Sequence, residues 1–329
     1  MTPTEGVPPL SRRRRWSVWL AWGLIAVGVL LHLTLRDAWQ WPTAALFYAL
    51  PRPVLAAIAV LAAGLARLLS RHEFRVSLIV ATIMLGWVGY RDIRWTNPPT
   101  AKSQGRPLRV VVWNAAHLAR GREVAAAWIR EWDADIIGIV EAGPTYPGDI
   151  KDWERLLPGY AIASPRLQSL ILARGDVQLH DVVSLGYDSD AMPATVIVED
   201  TACEVVLVDI VSNIRLGRSG PLRKLARMLD EAPARPQIVM GDFNTPPESV
   251  WLHPLREQYR DAFDVAGRGY RPTWPLPVPS LKLDYVWVAP GVTVEQCHHG
   301  WTTASDHRPV FVTLKTATTA SVSPDSTLP

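Results

Sequence analysis

The first hundred residues alternate long apolar stretches with short basic ones. Trp16–Leu35 carries no formal charge, Ala38–Ala66 is broken only by Pro51-Arg52-Pro53, and Val76–Tyr90 lies between two arginines. A helix that crosses a hydrocarbon core of about 30 Å needs about 20 such residues. The pattern therefore predicts a membrane region over residues 16–95 with about three transmembrane helices, preceded by a basic tail over residues 1–15.

Arginines give this region a predicted orientation. Arg12–Arg15 precede the first span, and Arg67, Arg71 and Arg75 lie between the second and third, so the positive-inside rule places both groups in the cytoplasm. We expect a multi-pass protein of the inner or plasma membrane whose remaining chain lies on the extracytoplasmic side. If Pro51 and Pro53 make the second segment re-entrant, that chain lies in the cytoplasm instead. A cleaved signal peptide is the alternative for the first span, but no small-x-small cleavage site follows it.

Beyond residue 106 the pattern changes to short apolar strands with a few helices. The strand candidates are Leu108–Trp113, Ile136–Val140, Ser169–Ala173, Ala194–Val198, Glu204–Val211, Gln237–Met240, Leu283–Val288 and Val310–Leu314, and the helix candidates are Gly121–Trp132, Lys151–Leu157 and Leu222–Glu231. Many strands with few helices favour an α/β fold in which two β-sheets pack together with helices on the outer faces. We expect one domain over residues 107–315, a polar linker over 96–106 and a disordered tail over 316–329.

Composition and charge limit the classes of function that this chain can have. Of 329 residues, 48% are hydrophobic, which suits a chain divided between membrane and globular parts. The net charge is only +3, and Arg12–Arg15 contribute four of the cations, so no broad basic surface for nucleic acid is expected. Cys203 and Cys297 offer no zinc-ligand spacing, and two unpaired buried thiols are favoured over one disulfide.

Polar residues follow several predicted strands at the point where each strand ends. Oxygen donors from Glu141, Asp242 and Asp306, with the amides of Asn114 and Asn244, suit a hard divalent cation such as Mg²⁺ or Mn²⁺. Such a cation assists in-line attack of water on a phosphate ester. His307 is a candidate base, and Asp284 is a candidate partner that orients its ring.

These residues resemble the motifs of the endonuclease/exonuclease/phosphatase superfamily. The resemblance rests, in family order, on Trp113-Asn114, Glu141, Gly241-Asp242-Phe243-Asn244, Leu283-Asp284-Tyr285 and Ser305-Asp306-His307-Arg308-Pro309-Val310. It covers about residues 107–315 and implies a four-layered α/β sandwich that cleaves phosphate esters with magnesium, here in a membrane-anchored bacterial form.

The resemblance also implies a role for each motif residue. Glu141 corresponds to the main metal ligand, with Asn114 and Asp306 as further residues around the metal. Asp242 and Asn244 correspond to the pair that positions the nucleophile and the phosphate, and His307 with Asp284 corresponds to the base.

One family feature is missing. Many members carry a second histidine at the end of the strand before the Asp-x-Asn strand, but this chain reads Val208-Asp209-Ile210-Val211-Ser212-Asn213 there. By analogy with apurinic endonucleases, Asn213 is the expected substitute at the phosphate, with Asp209 and Ser212 behind it.

The expected function is thus a membrane-anchored, Mg²⁺-dependent phosphoesterase. Because the tether keeps the catalytic rim near the bilayer, a lipid-linked phosphate ester or pyrophosphate is favoured as substrate. A surface nuclease is the alternative enzyme, and a catalytically inactive binding domain is the alternative of another class. The oligomeric state is left open.

Overall fold

The computed structural model describes residues 9–39, 41–95, 106–143, 147–165, 168–199 and 201–316. Apart from residues 106 and 316, the expected linker and C-terminal tail lie outside these ranges, as do residues 1–8 of the expected basic tail.

Four helices form the N-terminal region: α1 (Pro9–Leu33), α2 (Thr43–Ala49), α3 (Arg52–Ala66) and α4 (Arg71–Arg91). Helices α1 and α4 are long and apolar enough to cross a membrane, and a third span exists only if α2 and α3, bent by 68°, are counted as one. The second predicted span is therefore not one continuous helix. Pro51 stands immediately before α3, and a 15-residue helix is only about 22 Å long, shorter than a hydrocarbon core.

The helices pack side by side with alternating direction. The side chain of Arg15 lies 3.4 Å from that of Glu73, so the N-terminal parts of α1 and α4 are neighbours. The start of α3 lies beside the C-terminal ends of α1 and α4. The ring of His32, in the last turn of α1, lies 3.0 Å from the Leu50 carbonyl oxygen, and Arg52 at the start of α3 binds Asp92 at the end of α4. Small residues such as Ala59 are buried between the helices, whereas large apolar side chains are exposed on the outside. Lipid-facing helix bundles have this distribution.

Two β-sheets form the centre of the remaining described structure. The first sheet has the order β1 (Ile93–Arg94), β12 (Gly267–Tyr270), β14 (Thr293–His299), β15 (Val310–Lys315), β2 (Leu108–Asn114), β3 (Ile136–Val140), β5 (Leu170–Ala173), β4 (Ala161–Ala163). The second has the order β11 (Arg260–Asp261), β13 (Asp284–Val288), β10 (Ile238–Asp242), β9 (Thr201–Asp209), β8 (Ser189–Val198), β6 (Asp176–Leu179), with β7 (Val183–Gly186) also paired to β8. Both sheets contain parallel and antiparallel pairs.

The sheets pack face to face, and helices cover their outer faces. Side chains such as Val112, Leu207 and Met240 fill the space between the sheets. Helices α5 (Arg122–Trp132) and α6 (Pro147–Leu156) cover the first sheet, α7 (Ser219–Glu231) and α8 (His253–Gln258) cover the second, and α9 (Ala262–Ala266) packs beside β14. The domain is an α/β sandwich, as expected. Cys203 and Cys297 are free and buried in the inter-sheet core.

The eight predicted strands and three predicted helices are all present, with ends shifted by a few residues. The elements not predicted are mostly short strands, together with β14, whose polar sequence Thr293–His299 alternates weakly. The topology brings the predicted polar residues to one edge. Parallel strands β2, β3, β9 and β10 end there, while the antiparallel strands β13 and β15 begin there.

Candidate active site

A cavity of about 660 Å³ opens at this edge of the sandwich. It is lined by five of the eight predicted site residues, namely Glu141, Asp242, Asn244, Asp306 and His307. Asn114 and Asp284 are buried behind the lining, each in contact with a residue that does line it. Asn213 is exposed and does not line the cavity.

His307 and Asp284 form a buried pair. The Nδ1 atom of His307 lies 3.0 Å from Oδ2 of Asp284, and the Asp284 carboxylate is fully buried at the start of β13. The other ring nitrogen, Nε2, has no hydrogen-bond partner among the described residues. Asp284 therefore fixes the orientation of the ring and leaves Nε2 available to a substrate.

Asp242 is held by hydrogen bonds on both oxygens. The Asn114 side-chain amide donates to Oδ2 at 2.9 Å, and the backbone N–H of Asn244 donates to Oδ1 at 2.8 Å. Asn114 also accepts from the Ala116 N–H through Oδ1. Asn114 thus contacts Asp242 directly, and this contact positions the carboxylate against the cavity.

Burial and crowded charges shift the proton equilibria of this cluster. Burial, followed by the charge of Asp284, raises the pKa of Asp242 to about 7. Burial lowers the pKa of His307, but the charge and hydrogen bond of Asp284 outweigh it, and the pKa of His307 rises to about 10. Burial and the charges of Asp242 and Glu141 raise the pKa of Asp209 well above its usual value. The charges around the cluster therefore favour the protonated His307 ring, and burial disfavours ionisation of Asp242.

The backbone at two strand ends adopts conformations that few side chains favour. Glu141 has φ = 51° and Asn244 has φ = 45°, both in the left-handed region. Gly241 has φ = 148°, and a Cβ there would lie 1.8 Å from the Val208 carbonyl oxygen. Only glycine fits where β10 passes β9. Left-handed residues at a cavity edge are typical of functional sites, because strain there is retained only when the surroundings impose it.

The oxygen donors of the cavity suit a divalent metal. Glu141, Asp242 and Asp306 place three carboxylates on one cavity, which is the donor chemistry that Mg²⁺ and Mn²⁺ prefer. Asp306 accepts from the Trp274 indole N–H through Oδ2 at 2.8 Å. Glu141 lies 3.3 Å from the His117 ring through Oε2. Among the described residues, the second oxygen of each of these two carboxylates accepts no hydrogen bond, so it is available to a cation. Asp242, Asp284 and His307 also lie within 4.8 Å of one another, but the His307–Asp284 hydrogen bond accounts for that grouping.

The segment after β9 lines the cavity with residues other than Asn213. The Asn213 side chain accepts the Arg215 N–H at 3.0 Å, which makes it a turn residue. Ser212 and Arg218 line the cavity instead. The buried Arg218 donates to the carbonyl oxygens of Asn244 at 2.7 Å and Ser212 at 2.8 Å, so it joins this segment to the Asp242 loop. Its guanidinium brings a positive charge to a cavity that otherwise presents carboxylates.

Helix α2 contributes a wall of the cavity that sequence reasoning did not find. Ala45, Tyr48 and Ala49 line the cavity, and the Arg218 guanidinium lies 4.9 Å from the centre of the Tyr48 ring. The sequence assigned these residues to a transmembrane span. No local signal marks them as site residues, because their contact with residues 212–218 depends on the packing of distant segments.

Comparison with known proteins agrees with this geometry. A model of the endonuclease/exonuclease/phosphatase family matches residues 111–307. D. rerio TDP2 complexed with a single-strand DNA product superposes with a TM-score of 0.52 at 15% identity, covering 64% of this chain and 100% of that one. An endonuclease/exonuclease/phosphatase from Bacteroides vulgatus gives 0.52 at 17% identity, covering 65% and 100%, and a family protein from Bacteroides thetaiotaomicron gives 0.51 at 18%, covering 65% and 100%.

These structural likenesses are likenesses of fold, and no curated protein matches the sequence. The family model extends over more than half of the chain and includes the segments that carry Glu141, Asp242 and His307. Members of the family are phosphoesterases, nucleases and phosphatases, and they generally depend on divalent metals. The chain belongs to the endonuclease/exonuclease/phosphatase family and is a hydrolase of phosphate ester bonds.

Proposed function

We propose that the protein is a membrane-anchored, divalent-metal-dependent phosphoesterase whose substrate carries its phosphate on a lipid. The observation that carries the proposal is the wall that α2 contributes to the active-site cavity. This wall belongs to the apolar N-terminal region and stands beside the carboxylates and His307. A substrate with an apolar chain next to its phosphate matches both halves of the cavity.

The two halves of the cavity differ in chemistry. On the apolar side Ala45, Ala49, Ile214, Leu281 and Leu283 line it. On the polar side lie the carboxylates, Asn244, Ser212 and Arg218. Ligand sites that orient an amphipathic molecule have this division, because apolar surface supplies affinity and a few polar groups fix the reacting atom.

The polar half supports hydrolysis by attack of water. Glu141 and Asp306 would hold the metal, which when bound neutralises charge on the phosphoryl oxygens. Asp242, with a pKa of about 7, is suited to accept the proton of the attacking water. His307 was expected to be the base, but a ring with a pKa of about 10 donates from Nε2, which suits it to stabilise the phosphate. Asn244, Ser212 and Arg218 take the phosphate-binding role expected of Asn213.

A panel of substrates tests the proposal. The full chain in detergent, with Mg²⁺ or Mn²⁺, is offered a polyprenyl pyrophosphate, a phospholipid, sphingomyelin, single-stranded DNA and bis(p-nitrophenyl) phosphate. We expect turnover of a lipid substrate. Preference for DNA would instead support the nuclease alternative, and failure to cleave any substrate would support an inactive binding domain.

A substitution on the α2 wall makes the test specific. Ala49 is exposed in the apolar half of the cavity, so Ala49→Trp should fill that half without disturbing the core. We expect the substitution to lower kcat/KM for the lipid at least tenfold, on the order of 1.4 kcal/mol. Hydrolysis of bis(p-nitrophenyl) phosphate should stay close to wild type. Ala57→Trp, on the exposed face of α3, is the matched control. Equal losses on both substrates would contradict the lipid assignment.

The proposal also places the catalytic domain outside the cytoplasm. The basic residues Arg12–Arg15, Arg67 and Arg71 lie at the end of the helix bundle opposite the sandwich, which supports this orientation through the positive-inside rule. Fusions of alkaline phosphatase and green fluorescent protein at Thr100 test it. An active phosphatase is expected, whereas a fluorescent fusion with inactive phosphatase would refute the placement.

A further inference from the structure

A second cavity, of about 440 Å³, lies between the helix bundle and the sandwich. Its lining contains five arginines: Arg36, Arg91, Arg94, Arg256 and Arg271. The carboxylates in the lining are Glu248 and Asp264. The active-site cavity shares none of these residues, although Pro247 and Glu248 follow closely in the chain after Asn244, which lines the active-site cavity.

Both carboxylates are already paired, Glu248 with an arginine outside the lining and Asp264 with two of the five arginines in it. Glu248 accepts from Arg52 at 2.5 Å, and Arg52 is buried outside this cavity's lining. Asp264 binds Arg271 at 2.7 Å and Arg94 at 3.4 Å. Among the described residues, no carboxylate lies within ion-pair distance of Arg36, Arg91 or Arg256. Three cations therefore face this cavity without an anion.

Arg271 supplies an independent sign of an absent partner. Its side chain is only 8% exposed, yet the buried Nε has no hydrogen-bond acceptor among the described residues. A buried guanidinium donor without an acceptor costs free energy, since it has lost its water. Phosphate oxygens satisfy such donors well, because guanidinium groups bind them with two parallel hydrogen bonds.

The position of the cavity indicates the source of the phosphate. Arg36 lies shortly after the end of α1, and Arg91 is the last residue of α4, so the cavity lies where both candidate spans end. Exposed aromatic side chains lie near the same helix ends, namely Trp39, Trp41, Tyr90 and Trp95. Aromatic residues at helix ends are typical of the headgroup level of a bilayer, and clustered arginines at that level attract anionic headgroups on either side of the membrane.

We propose that this arginine cavity binds the phosphate of an anionic phospholipid from the surrounding bilayer, as a site separate from the catalytic one. The lipid headgroup joins the end of the helix bundle to the loop that follows Asn244. Binding requires no hydrolysis and holds whether or not the catalytic substrate is itself a lipid.

Lipid binding is measured on the full chain carrying His307→Ala, purified in an uncharged detergent, so that turnover does not consume the probe. A short-chain phosphatidylglycerol is titrated and the bound lipid is counted by native mass spectrometry. Arg36→Gln with Arg91→Gln removes two exposed, unpaired cations, so folding should be unaffected. Arg67→Gln with Arg71→Gln makes the same charge change at the opposite end of the bundle and is the matched control.

We expect the Arg36/Arg91 double variant to bind phosphatidylglycerol at least about tenfold more weakly than the parent, because the substitutions remove two charge-assisted interactions with the phosphate. The Arg67/Arg71 control should bind as the parent does. Equal affinity in the parent and the Arg36/Arg91 variant would overturn the proposal, as would equal binding of phosphatidylcholine. Competition by inorganic phosphate at concentrations similar to those of the lipid would assign the site to free phosphate and overturn the lipid source.

Discussion

Two buried clusters of charged residues lie close together in this protein and are organised in opposite ways. The active-site cluster comprises the buried Asp242, Asp284 and His307 and the half-buried Asp209, and of these only His307 can carry a positive charge. The interface cluster joins the helix bundle to the sandwich and comprises Arg52, Asp92 and Glu248. Arg52 is 5% exposed and binds Asp92 through two nitrogens, at 2.8 and 2.6 Å.

The direction of the pKa shifts separates the two clusters. In the active-site cluster burial raises the pKa of Asp209 and Asp242, because too few cations compensate it. At the interface, burial likewise raises the pKa of Glu248, but the charges of Arg52 and Arg271 together with the hydrogen bond from Arg52 outweigh it, and the pKa of Glu248 is lowered. Matched charges stabilise a contact, whereas carboxylates kept close together without enough cations are typical of sites that bind a metal or move protons.

The largest effect should come from removing active-site charges. Glu141→Ala and His307→Ala should each lower the rate of phosphate-ester hydrolysis about 10²–10⁴-fold, because each removes a group that acts on the metal or the phosphate. Hydrolysis by the full chain with Mg²⁺ measures this. Glu204→Ala and His180→Ala change the same residue types on the sandwich surface, outside the cavity, and should leave the rate unchanged. Activity that survives both active-site substitutions would contradict the site assignment.

A loss of stability, in contrast, should follow from breaking the interface cluster. Arg52→Ala leaves Asp92 and Glu248 buried without their cation, and we expect a loss of about 3–5 kcal/mol. Thermal unfolding of the full chain in detergent measures this loss. Arg94→Ala is the control, since its pair with Asp264 is exposed and 3.4 Å long, and it should cost less than about 1 kcal/mol. Similar losses from both variants would mean that the interface cluster contributes no more than a surface ion pair.

The sequence predicted the sandwich well because its signals are local. Apolar runs such as Ile136–Val140 and Val310–Leu314 mark strands by themselves, and polar residues at their ends mark one edge of a sheet. The grouping of Glu141, Asp242, Asp306 and His307 around one cavity therefore followed from strand ends alone, even though their spacing along the chain exceeds 160 residues in the widest pair.

The features that escaped prediction depend on packing between distant segments. Asn213 was chosen as a phosphate contact, but its side chain caps a turn, and Arg218 lines the cavity through hydrogen bonds to carbonyl groups of two loops. The same limit hid the α2 wall, which hydropathy assigns to a span. In the sequence, Arg52 stands between two prolines and only interrupts an apolar run. In the structure it binds Asp92 at the end of α4 and Glu248 of the sandwich.

The smallest expected effect is a change in stability at pH 8 that has opposite signs for two conservative substitutions, one in each cluster. Asp209→Asn removes a carboxyl group whose pKa is raised in the folded state. In the wild type, ionisation of this carboxyl destabilises the fold once the pH rises above the pKa of the same group in the unfolded chain. This variant should be more stable than wild type at pH 8, by about 1–3 kcal/mol, because the amide carries no charge to bury. It should lose most of that advantage at pH 4, where the buried carboxyl of the wild type is protonated.

Glu248→Gln removes a carboxylate whose pKa is lowered, so its stabilisation is present above the unfolded pKa and is lost as pH falls through the folded one. This variant should be less stable at pH 8 by about 1–2 kcal/mol and approach wild type in acid. Thermal unfolding with a chelator present measures both variants in the same buffers. Changes of the same sign at pH 8 would mean that the two clusters do not differ in charge balance. Opposite signs would show that only the cluster at the cavity is maintained at a cost to the fold, as expected where selection acts on catalysis.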